Sequence, residues 1–114
     1  MDFRCKLCDR VMIFEKKIWD SLAGHAFYYR CPSCPEYRVL LKTDLETIES
    51  EVLRVGNFSA TFFPVQRRLR LVENLPVTIG MPLFNTIENY TVNELTHELA
   101  VQWVKRLKTC VTFQ

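Results

Sequence analysis

Two short segments, Cys5-Lys6-Leu7-Cys8 and Cys31-Pro32-Ser33-Cys34, decide how the first third of the chain folds. Two residues separate the cysteines of each pair, so both sulfurs can point into one turn and supply half of a tetrahedral metal site. The pairs stand 22 residues apart, close to the gap of about 15 to 20 residues that is typical of two-pair zinc sites. The sequence therefore predicts one zinc ion, with four ligands: Cys5, Cys8, Cys31 and Cys34.

The ligand set predicts a structural rather than a catalytic metal. Four thiolates complete the tetrahedron and leave no position for water or substrate. A redox dithiol would need a single C-x-x-C at a strand-to-helix junction, which neither pair has. His25 lies six residues before Cys31, which is not a metal-binding spacing, so it is not expected to replace a cysteine as a zinc ligand. His97 is expected to be an ordinary exposed histidine, and Cys110 a small core residue or inert thiol.

The segments that flank the cysteine pairs predict short strands at residues 11–14, 25–30 and 37–42. A strand, a turn and a strand, repeated twice, is the layout of a zinc ribbon. Residues 1–42 resemble the zinc-ribbon superfamily, as Tyr29-Arg30-Cys31-Pro32-Ser33-Cys34 also suggests. The resemblance implies short antiparallel strands joined by one structural zinc.

One feature departs from many such turns, in which glycine follows the second cysteine and donates its N–H to a sulfur. Here Asp9 and Pro35 take those positions. Aspartate tolerates the left-handed region, whereas proline is fixed near a φ of about −65° and has no N–H. The second turn is therefore predicted to differ from the first and to give its sulfurs one donor fewer, which argues against a rubredoxin-like iron site.

The segment after the first cysteine pair has two interpretations. In residues 15–22, Ile18, Trp19 and Leu22 could form one helical turn, or Lys16-Lys17 could mark a loop tip.

A helix is predicted after residue 42, with Thr43 or Asp44 as its cap and Gly56 as its end. Its apolar stripe repeats at helical spacing and consists of Leu45, Ile48, Val52 and Val55.

Strands are predicted at residues 58–65 and 66–73. In the second, Leu69 and Leu71 alternate with Arg68 and Arg70, as in a half-buried strand. Asn74-Leu75-Pro76 is expected to end it, residues 77–79 could be another short strand, and residues 80–82 and 85–90 are predicted loops.

The last element is predicted as a helix over residues 92–108, with Thr91 as N-cap and Glu94 completing a capping box. Its apolar stripe predicts a long amphipathic helix, and residues 110–114 could form a final strand. The predicted fold class is α+β, with a zinc ribbon at residues 1–42 and a strand-and-helix unit at residues 43–114.

Composition excludes several classes of function. The chain has 114 residues and a formal net charge of +2. Four thiolates around Zn²⁺ would add about −2. The net charge of the zinc-bound chain therefore does not favour binding to a polyanion or a membrane surface. We expect an intracellular location, because the start lacks a signal peptide's apolar segment and paired cysteines suit a reducing compartment. With three glycines and no nucleophile, phosphate-loop or zinc-protease motif, an enzyme is not expected.

Two functional hypotheses remain. The first is a non-enzymatic adaptor that binds a protein partner or a second copy, through aromatic residues that could equally fill the core: Phe58, Phe62, Phe63, Phe84 and Trp103.

The second hypothesis is a nucleic-acid-binding regulatory factor. Its candidate phosphate contacts are Arg67, Arg68, Arg70, Lys105, Arg106 and Lys108, with Arg4, Lys6, Arg10 and Arg30 near the zinc ribbon. Bases could stack on Tyr28, Tyr29, Phe62 or Phe63. The plainer interpretation of these cations is a solvated strand face and a helix end that complements the helix dipole.

Overall fold

A computed structural model describes residues 3–20, 24–41, 47–78 and 81–112 of the chain. These residues form one antiparallel sheet of seven strands and a C-terminal helix, and each strand pairs with its neighbour in sequence. The elements are β1 (Ile13–Asp20), β2 (Gly24–Arg30), β3 (Tyr37–Leu41), β4 (Ile48–Val55), β5 (Phe58–Phe63), β6 (Arg68–Thr78), β7 (Met81–Thr91) and α1 (His97–Thr112).

The first strand replaces both interpretations of residues 15–22. Lys16, Lys17, Ile18 and Trp19 all lie within β1, which pairs with β2 from Ile13 to Asp20. The strand begins later than predicted, since Val11 makes only an isolated bridge with Arg4. Pairing with the aromatic-rich β2 outweighs the local helical spacing. Leu22 lies outside the described residues.

The helix predicted from Leu45 is wrong over its described part, because residues 48–55 form β4. Its side chains follow strand burial: Leu53, which is off the predicted stripe, is fully buried, whereas Ile48, Val52 and Val55 are only partly buried. β4 pairs with β3 on one side and β5 on the other. Pairing on both sides outweighs the helical spacing of the apolar stripe, whose β-branched residues favour a strand. Residues 43–45 lie outside the described residues.

Gly56 does not end a helix but turns the chain from β4 to β5. It is the first of two residues between Val55 and Phe58 and has a φ of +59°, a value that a two-residue hairpin of type II′ needs at this position. A Cβ at Gly56 would also lie 3.0 Å from Cγ2 of Val111. The positive φ therefore favours glycine here, and a side chain would also press against Val111 of α1.

The strands predicted at residues 58–65 and 66–73 are confirmed only over 58–63 and 68–73, because residues 64–67 form the turn between β5 and β6. Within β6, Leu69 and Leu71 are buried while Arg68 is exposed. The expected break at residues 74–76 is wrong: β6 continues to Thr78. Pro76 is accommodated because the β5–β6 ladder extends only to Glu73 and the β6–β7 register shifts between Leu75 and Thr78. Its missing N–H therefore falls in an irregular part of the sheet.

The described residues of the two predicted loops, 81–82 and 85–90, form β7 instead. Pairing along β6 outweighs the loop signal of the asparagines and Pro82. Residues 79 and 80 lie outside the described residues.

The C-terminal helix begins later than predicted. Thr91 is the last residue of β7, and Thr96 caps α1 by accepting a hydrogen bond from the N–H of Leu99 at 3.2 Å. Glu94 precedes the helix. Residues 110–112 continue the helix rather than forming a strand, and residues 113–114 lie outside the described residues. No helix among the described residues is long and apolar enough to cross a membrane.

The core lies between the sheet and α1. The helix packs on β4 and β5 and buries Ala100, Trp103, Val104 and Leu107. The sheet contributes Tyr37, Val39, Leu41, Leu53, Ala60, Phe62, Leu69 and Leu71, and Cys5, Met12 and Cys31 belong to the same cluster. The predicted domain boundary at residues 42/43 falls outside the described residues, so the division into two domains stays a prediction; β3 and β4 on either side of it pair in one sheet.

Candidate metal centre and binding surfaces

The first cysteine turn is closed by backbone hydrogen bonds. The Asp9 N–H donates to the Cys5 carbonyl at 2.8 Å, and the Cys5 N–H donates to the Arg10 carbonyl at 2.9 Å. Asp9 adopts the left-handed region at a φ of +64°, which aspartate tolerates better than most residues. The Leu7 N–H points at the Cys5 sulfur at 3.3 Å. The turn thus directs a backbone donor at its first sulfur.

The second turn repeats this arrangement. The Ser33 N–H points at the Cys31 sulfur at 3.4 Å, and β3 begins where the Tyr37 N–H donates to the Cys34 carbonyl at 3.2 Å. In the first turn, Asp9 follows the second cysteine and gives its N–H to a carbonyl rather than to a sulfur. Pro35 holds the same position in the second turn, so its missing N–H costs the sulfurs no donor that the first turn has. The expectation of one donor fewer is therefore not supported at these positions.

The two turns bring all four predicted ligands together. The sulfurs of Cys5, Cys8, Cys31 and Cys34 lie within 4.8 Å of one another, and the Cys8 and Cys31 sulfurs are 3.4 Å apart. A tetrahedral site with metal–sulfur bonds of about 2.3 Å has sulfur–sulfur edges of about 3.8 Å. The cluster therefore fits one metal ion, and it is compatible with zinc-ribbon-like cysteine turns.

Burial is uneven among the four thiols. Cys5 and Cys31, the first cysteine of each turn, are buried, Cys34 is half-buried and Cys8 is exposed. Burial raises the pKa of Cys5 to about 11, against the lowering effect of the Leu7 N–H. For Cys31, burial is outweighed by the Ser33 N–H and the Cys8 thiol, and its pKa falls to about 7. The pKa of Cys34 is raised, first by burial and then by Cys8.

A buried polar pair lies in the core beside the cysteine cluster. Tyr37, which is 1% exposed, donates its hydroxyl to Glu51, which is 4% exposed. Burial raises the pKa of Glu51, and burial and then Glu51 raise the pKa of Tyr37. Sequence reasoning missed this pair, although Glu51 shares the period-two register of Leu53 and Val55, which placed it on the buried face.

A cleft of about 610 Å³ separates the first cysteine turn from the start of α1. His97 hydrogen-bonds the Lys6 carbonyl through Nδ1 at 2.6 Å, and its side chain is exposed, as predicted. Arg4, Lys6, Asp9 and Glu94 put both signs of charge around the cleft. The side chain of His25 lies outside the described residues, and Cys110 packs half-buried against the core.

The predicted cations divide between two faces of the sheet. Arg106 lies on the helix side, ion-paired with Glu88 and placed 4.8 Å from the centre of the Trp103 ring. Arg68 and Arg70 point to the opposite face. Arg70 is paired with Asn89, and the residues on either side of Asn89, which are Glu88 and Tyr90, face the helix. The remaining three are exposed: Arg67 in the β5–β6 turn, and Lys105 and Lys108 on α1.

The aromatic residues predicted for an interface are mostly used inside the chain. Phe58, Phe62 and Trp103 are 5%, 2% and 7% exposed. Phe63 is half-buried on the face opposite α1, where the Arg70 guanidinium lies 5.4 Å from its ring centre. The Phe84 side chain lies outside the described residues. Of the predicted interface set, Phe63 is the described member that a partner could reach most directly.

The face opposite α1 adds Lys16, Arg38 and Arg54 to five residues that the second hypothesis had already named. Register and two-residue spacing bring eight side chains onto it, which together we call the basic face: Lys16, Tyr28, Arg30, Arg38, Arg54, Phe63, Arg68 and Arg70. They come from six strands, so no local sequence window contains them. The order and register of the sheet are what place all eight on one surface.

Comparisons with protein-family models, curated proteins and solved structures found no match to this chain.

Proposed function

We propose that the protein is a non-enzymatic binding module whose N-terminal strands are held by one structural Zn²⁺ ion. The observation that supports the proposal is the convergence of four cysteine sulfurs, from two separate turns, within 4.8 Å of one another. An all-thiolate set favours zinc or iron over calcium or magnesium, which prefer oxygen ligands. Two C-x-x-C turns in a tetrahedral arrangement are typical of structural zinc.

The ligand count supports a structural role for this metal. Four thiolates saturate a tetrahedral zinc ion, so a water or substrate would have to displace a cysteine before the metal could act on it. Cys5 and Cys31 lie buried in the core cluster, so such a displacement would also disturb packing. On this proposal the metal connects the segment at residues 3–12 to the start of β3, and binding takes place on surfaces elsewhere.

The metal proposal is tested on purified protein by elemental analysis and by thiol titration. We expect one zinc per chain and four thiols that react only after chelation. Replacement with Co²⁺ should give the visible absorption of a tetrahedral cobalt–thiolate site. Iron in place of zinc in protein isolated without added metal, or a site that loses no metal in Cys34→Ser, would contradict the assignment. Cys110→Ser is the matched control and should keep one zinc.

A protein partner within an intracellular assembly remains a candidate, supported by the edge of the sheet at β7. A groove of about 300 Å³ lies between the end of β7 and α1 and is lined by Leu69, Tyr90, Leu99, Trp103 and Arg106. β7 is the last strand of the sheet, and an edge strand can pair with an extended segment of a partner. The free thiols of the chain suit a reducing compartment.

This second candidate predicts binding through main-chain pairing. Asn89→Pro would remove one β7 N–H, and we expect it to weaken capture of a partner strand while α1 keeps its helical signal. Size-exclusion chromatography with light scattering checks whether that partner is a second copy. A strict monomer whose captured proteins are the same with and without the substitution would count against the candidate.

A further inference from the structure

One row of paired residues crosses the whole sheet on the face opposite α1. It starts at Ile13 on β1 and passes through Arg30, Arg38, Val52, Thr61 and Arg70, which are direct cross-strand partners in turn. Directly paired residues have side chains on the same face. Three arginines from β2, β3 and β6 therefore share one row.

Positions two residues away along the strands add three more cations to this face. Arg54 stands two residues from Val52, Arg68 two residues from Arg70, and Lys16 is the partner of Tyr28. The eight residues of the basic face thus include six cations and no carboxylate. Glu15, beside the β1 bulge, approaches Arg38 at 3.6 Å. The local charge is strongly positive although the formal net charge of the chain is only +2.

Charge segregation explains why composition does not show this surface. Glu51 is buried on the helix side of the sheet, Glu88 pairs with Arg106 on that side, and Glu94 lies at the cleft before α1. These three acids therefore lie away from the basic face, whereas Glu15 approaches Arg38 there. A polyanion responds to the local field of a patch more than to the total charge.

Two aromatic rings lie among the cations of the basic face. The Lys16 ammonium is 5.6 Å from the centre of the Tyr28 ring, and the Arg70 guanidinium is 5.4 Å from the centre of the Phe63 ring. Both rings are half-buried, so part of each remains accessible. Aromatic platforms within a cationic surface are the arrangement by which proteins hold unpaired bases and their phosphates together.

Two clefts on this face adjoin one another. A cleft of about 290 Å³ is lined by Lys16, Tyr28, Arg38, Val52 and Arg54. A second, of about 280 Å³, includes Val52, Arg54, Phe63 and Arg70. They share Val52 and Arg54 in their linings and so adjoin at β4, and together we call them the groove. From β2 to β6 the groove crosses four strand spacings, about 19 Å, which corresponds to about five or six stacked nucleotides.

We propose that the basic face binds single-stranded nucleic acid. This names the partner of the binding module proposed above and rests on that proposal. The six cations contact phosphates, while Tyr28 and Phe63 stack on bases that a duplex would keep paired and inaccessible. An acidic polypeptide would match the cations but would leave both rings without base partners, which is why nucleic acid is the better fit.

The test is fluorescence anisotropy of the zinc-loaded protein with a labelled 12-nucleotide oligothymidine, at 50 and 200 mM salt. We expect binding that weakens steeply with salt. In Arg54→Gln/Arg70→Gln, affinity should fall roughly tenfold, and the salt slope should decrease by about 1.4, because each single-strand phosphate contact contributes about 0.7. The matched control, Lys105→Gln/Lys108→Gln, removes the same charge from α1 and should bind like the parent protein.

A second variant separates stacking from charge. Phe63→Leu keeps every cation and should lower affinity by roughly tenfold with the salt slope unchanged. Circular dichroism and zinc content of each variant confirm that it is folded. Duplex DNA and poly-glutamate of similar length serve as competitors, and the labelled single strand should resist both.

Several outcomes would overturn the inference. These are absence of binding by folded, zinc-loaded protein at 50 mM salt, equal losses in the two double variants, or displacement by poly-glutamate or duplex at equal concentration. In each case, measured zinc and an intact fold would leave the zinc-held binding module standing with a different partner. A protein that contains no zinc would instead contradict the proposed function itself.

Discussion

The strands near the cysteines and the strands beneath the helix are covered by different means. α1 packs on β4 and β5, where Leu53 and Ala60 are fully buried. Over β2 and β3 the segment at residues 3–12 takes the helix's place, with Phe3 5.5 Å from Tyr29 between ring centres. That segment contains no long apolar element. Its link to β3 is the cysteine cluster, so on the proposed function a metal would do there what apolar burial does under α1.

The helix side of β3 is buried at both ends and in the middle, but the residues around the start of β1 are not buried. Val11 and Ile13 are each 41% exposed and Phe14 is 53% exposed, whereas Leu95, Ala100 and Leu107 at the helix are 0% exposed. A region with incomplete burial gains less from the hydrophobic effect, and small units commonly add a metal for this reason. The comparison predicts that the two regions respond to different perturbations.

The largest effect should follow loss of a buried ligand. Cys31→Ser should abolish stoichiometric zinc binding and destabilise β1–β3, because structural zinc contributes on the order of 10 kcal/mol to such sites. Thermal unfolding followed at the Trp and Tyr absorption bands checks this. Cys110→Ser is the control and should melt within a few degrees of the parent. Equal stability of the two variants would remove the distinction between the regions.

A core truncation in α1 should act on the other region. Leu107→Ala should lower the free energy of unfolding by about 2–5 kcal/mol, since it empties a fully buried site. Urea denaturation followed by far-ultraviolet circular dichroism measures it, with exposed Lys105→Ala within about 0.5 kcal/mol of the parent. Zinc content in native buffer should stay at one per chain. Loss of zinc together with the helix would show that the two regions are not separable.

The buried carboxyl at Glu51 should make stability fall with rising pH. Its folded-state pKa is raised by burial, so the folded chain holds this proton more tightly than the unfolded chain. The resulting stability is complete below about pH 4.5 and is lost as pH rises through the folded pKa. Glu51→Gln keeps a hydrogen-bond acceptor for Tyr37 but cannot ionise, so its stability should not fall with rising pH for this reason.

Urea midpoints of the Glu51→Gln variant and the parent between pH 4.5 and 8 test the carboxyl. The difference between the two proteins should grow with pH in favour of the variant. A difference that stays constant would mean that Glu51 is ionised at no cost in the folded chain. Exposed Gln102→Ala removes no ionisable group and is the control, so its difference from the parent should not change with pH.

The smallest effect should come from the helix cap. Thr96→Ala removes the acceptor for the Leu99 N–H and should cost about 1 kcal/mol, within a range of about 0.5–2. Thr109→Ala is a matched control, because Thr109 only donates to the Lys105 carbonyl within the helix. Urea midpoints measure both. An equal cost at the two threonines would place the helix start elsewhere.

Local patterns predicted the parts of the molecule that local physics determines. The four ligands follow from spacing within each turn, and β2, β3 and the start of β6 follow from alternation and aromatic content. The residue after Cys8 adopts the left-handed region that its chemistry allowed. These features depend on neighbours in sequence.

The failures lie where pairing between strands decides. Ile48, Val52 and Val55 have helical spacing but belong to β4, because two neighbouring ladders satisfy their backbone groups. Thr91 resembled a helix cap, yet it is paired with Arg68 across β6 and β7, so the cap falls at Thr96.

The same limit applies to the candidate surfaces. Arg38 and Arg54 became part of one surface only through register, and Glu51 became a buried partner of Tyr37 only when β3 and β4 were placed side by side. Periodicity within one segment contains no information about which segment lies beside it. The cysteine cluster was the exception because each half of it is local.

Hydrogen–deuterium exchange before and after zinc removal tests the central claim most directly. We predict that chelation exposes the amides of residues 3–20 and 24–41 to rapid exchange, while protection persists at least partly in residues 97–112, and that added zinc restores the original pattern. Unchanged protection of β1–β3 after complete metal removal would contradict the account, because those strands would then be stable without the site that joins them.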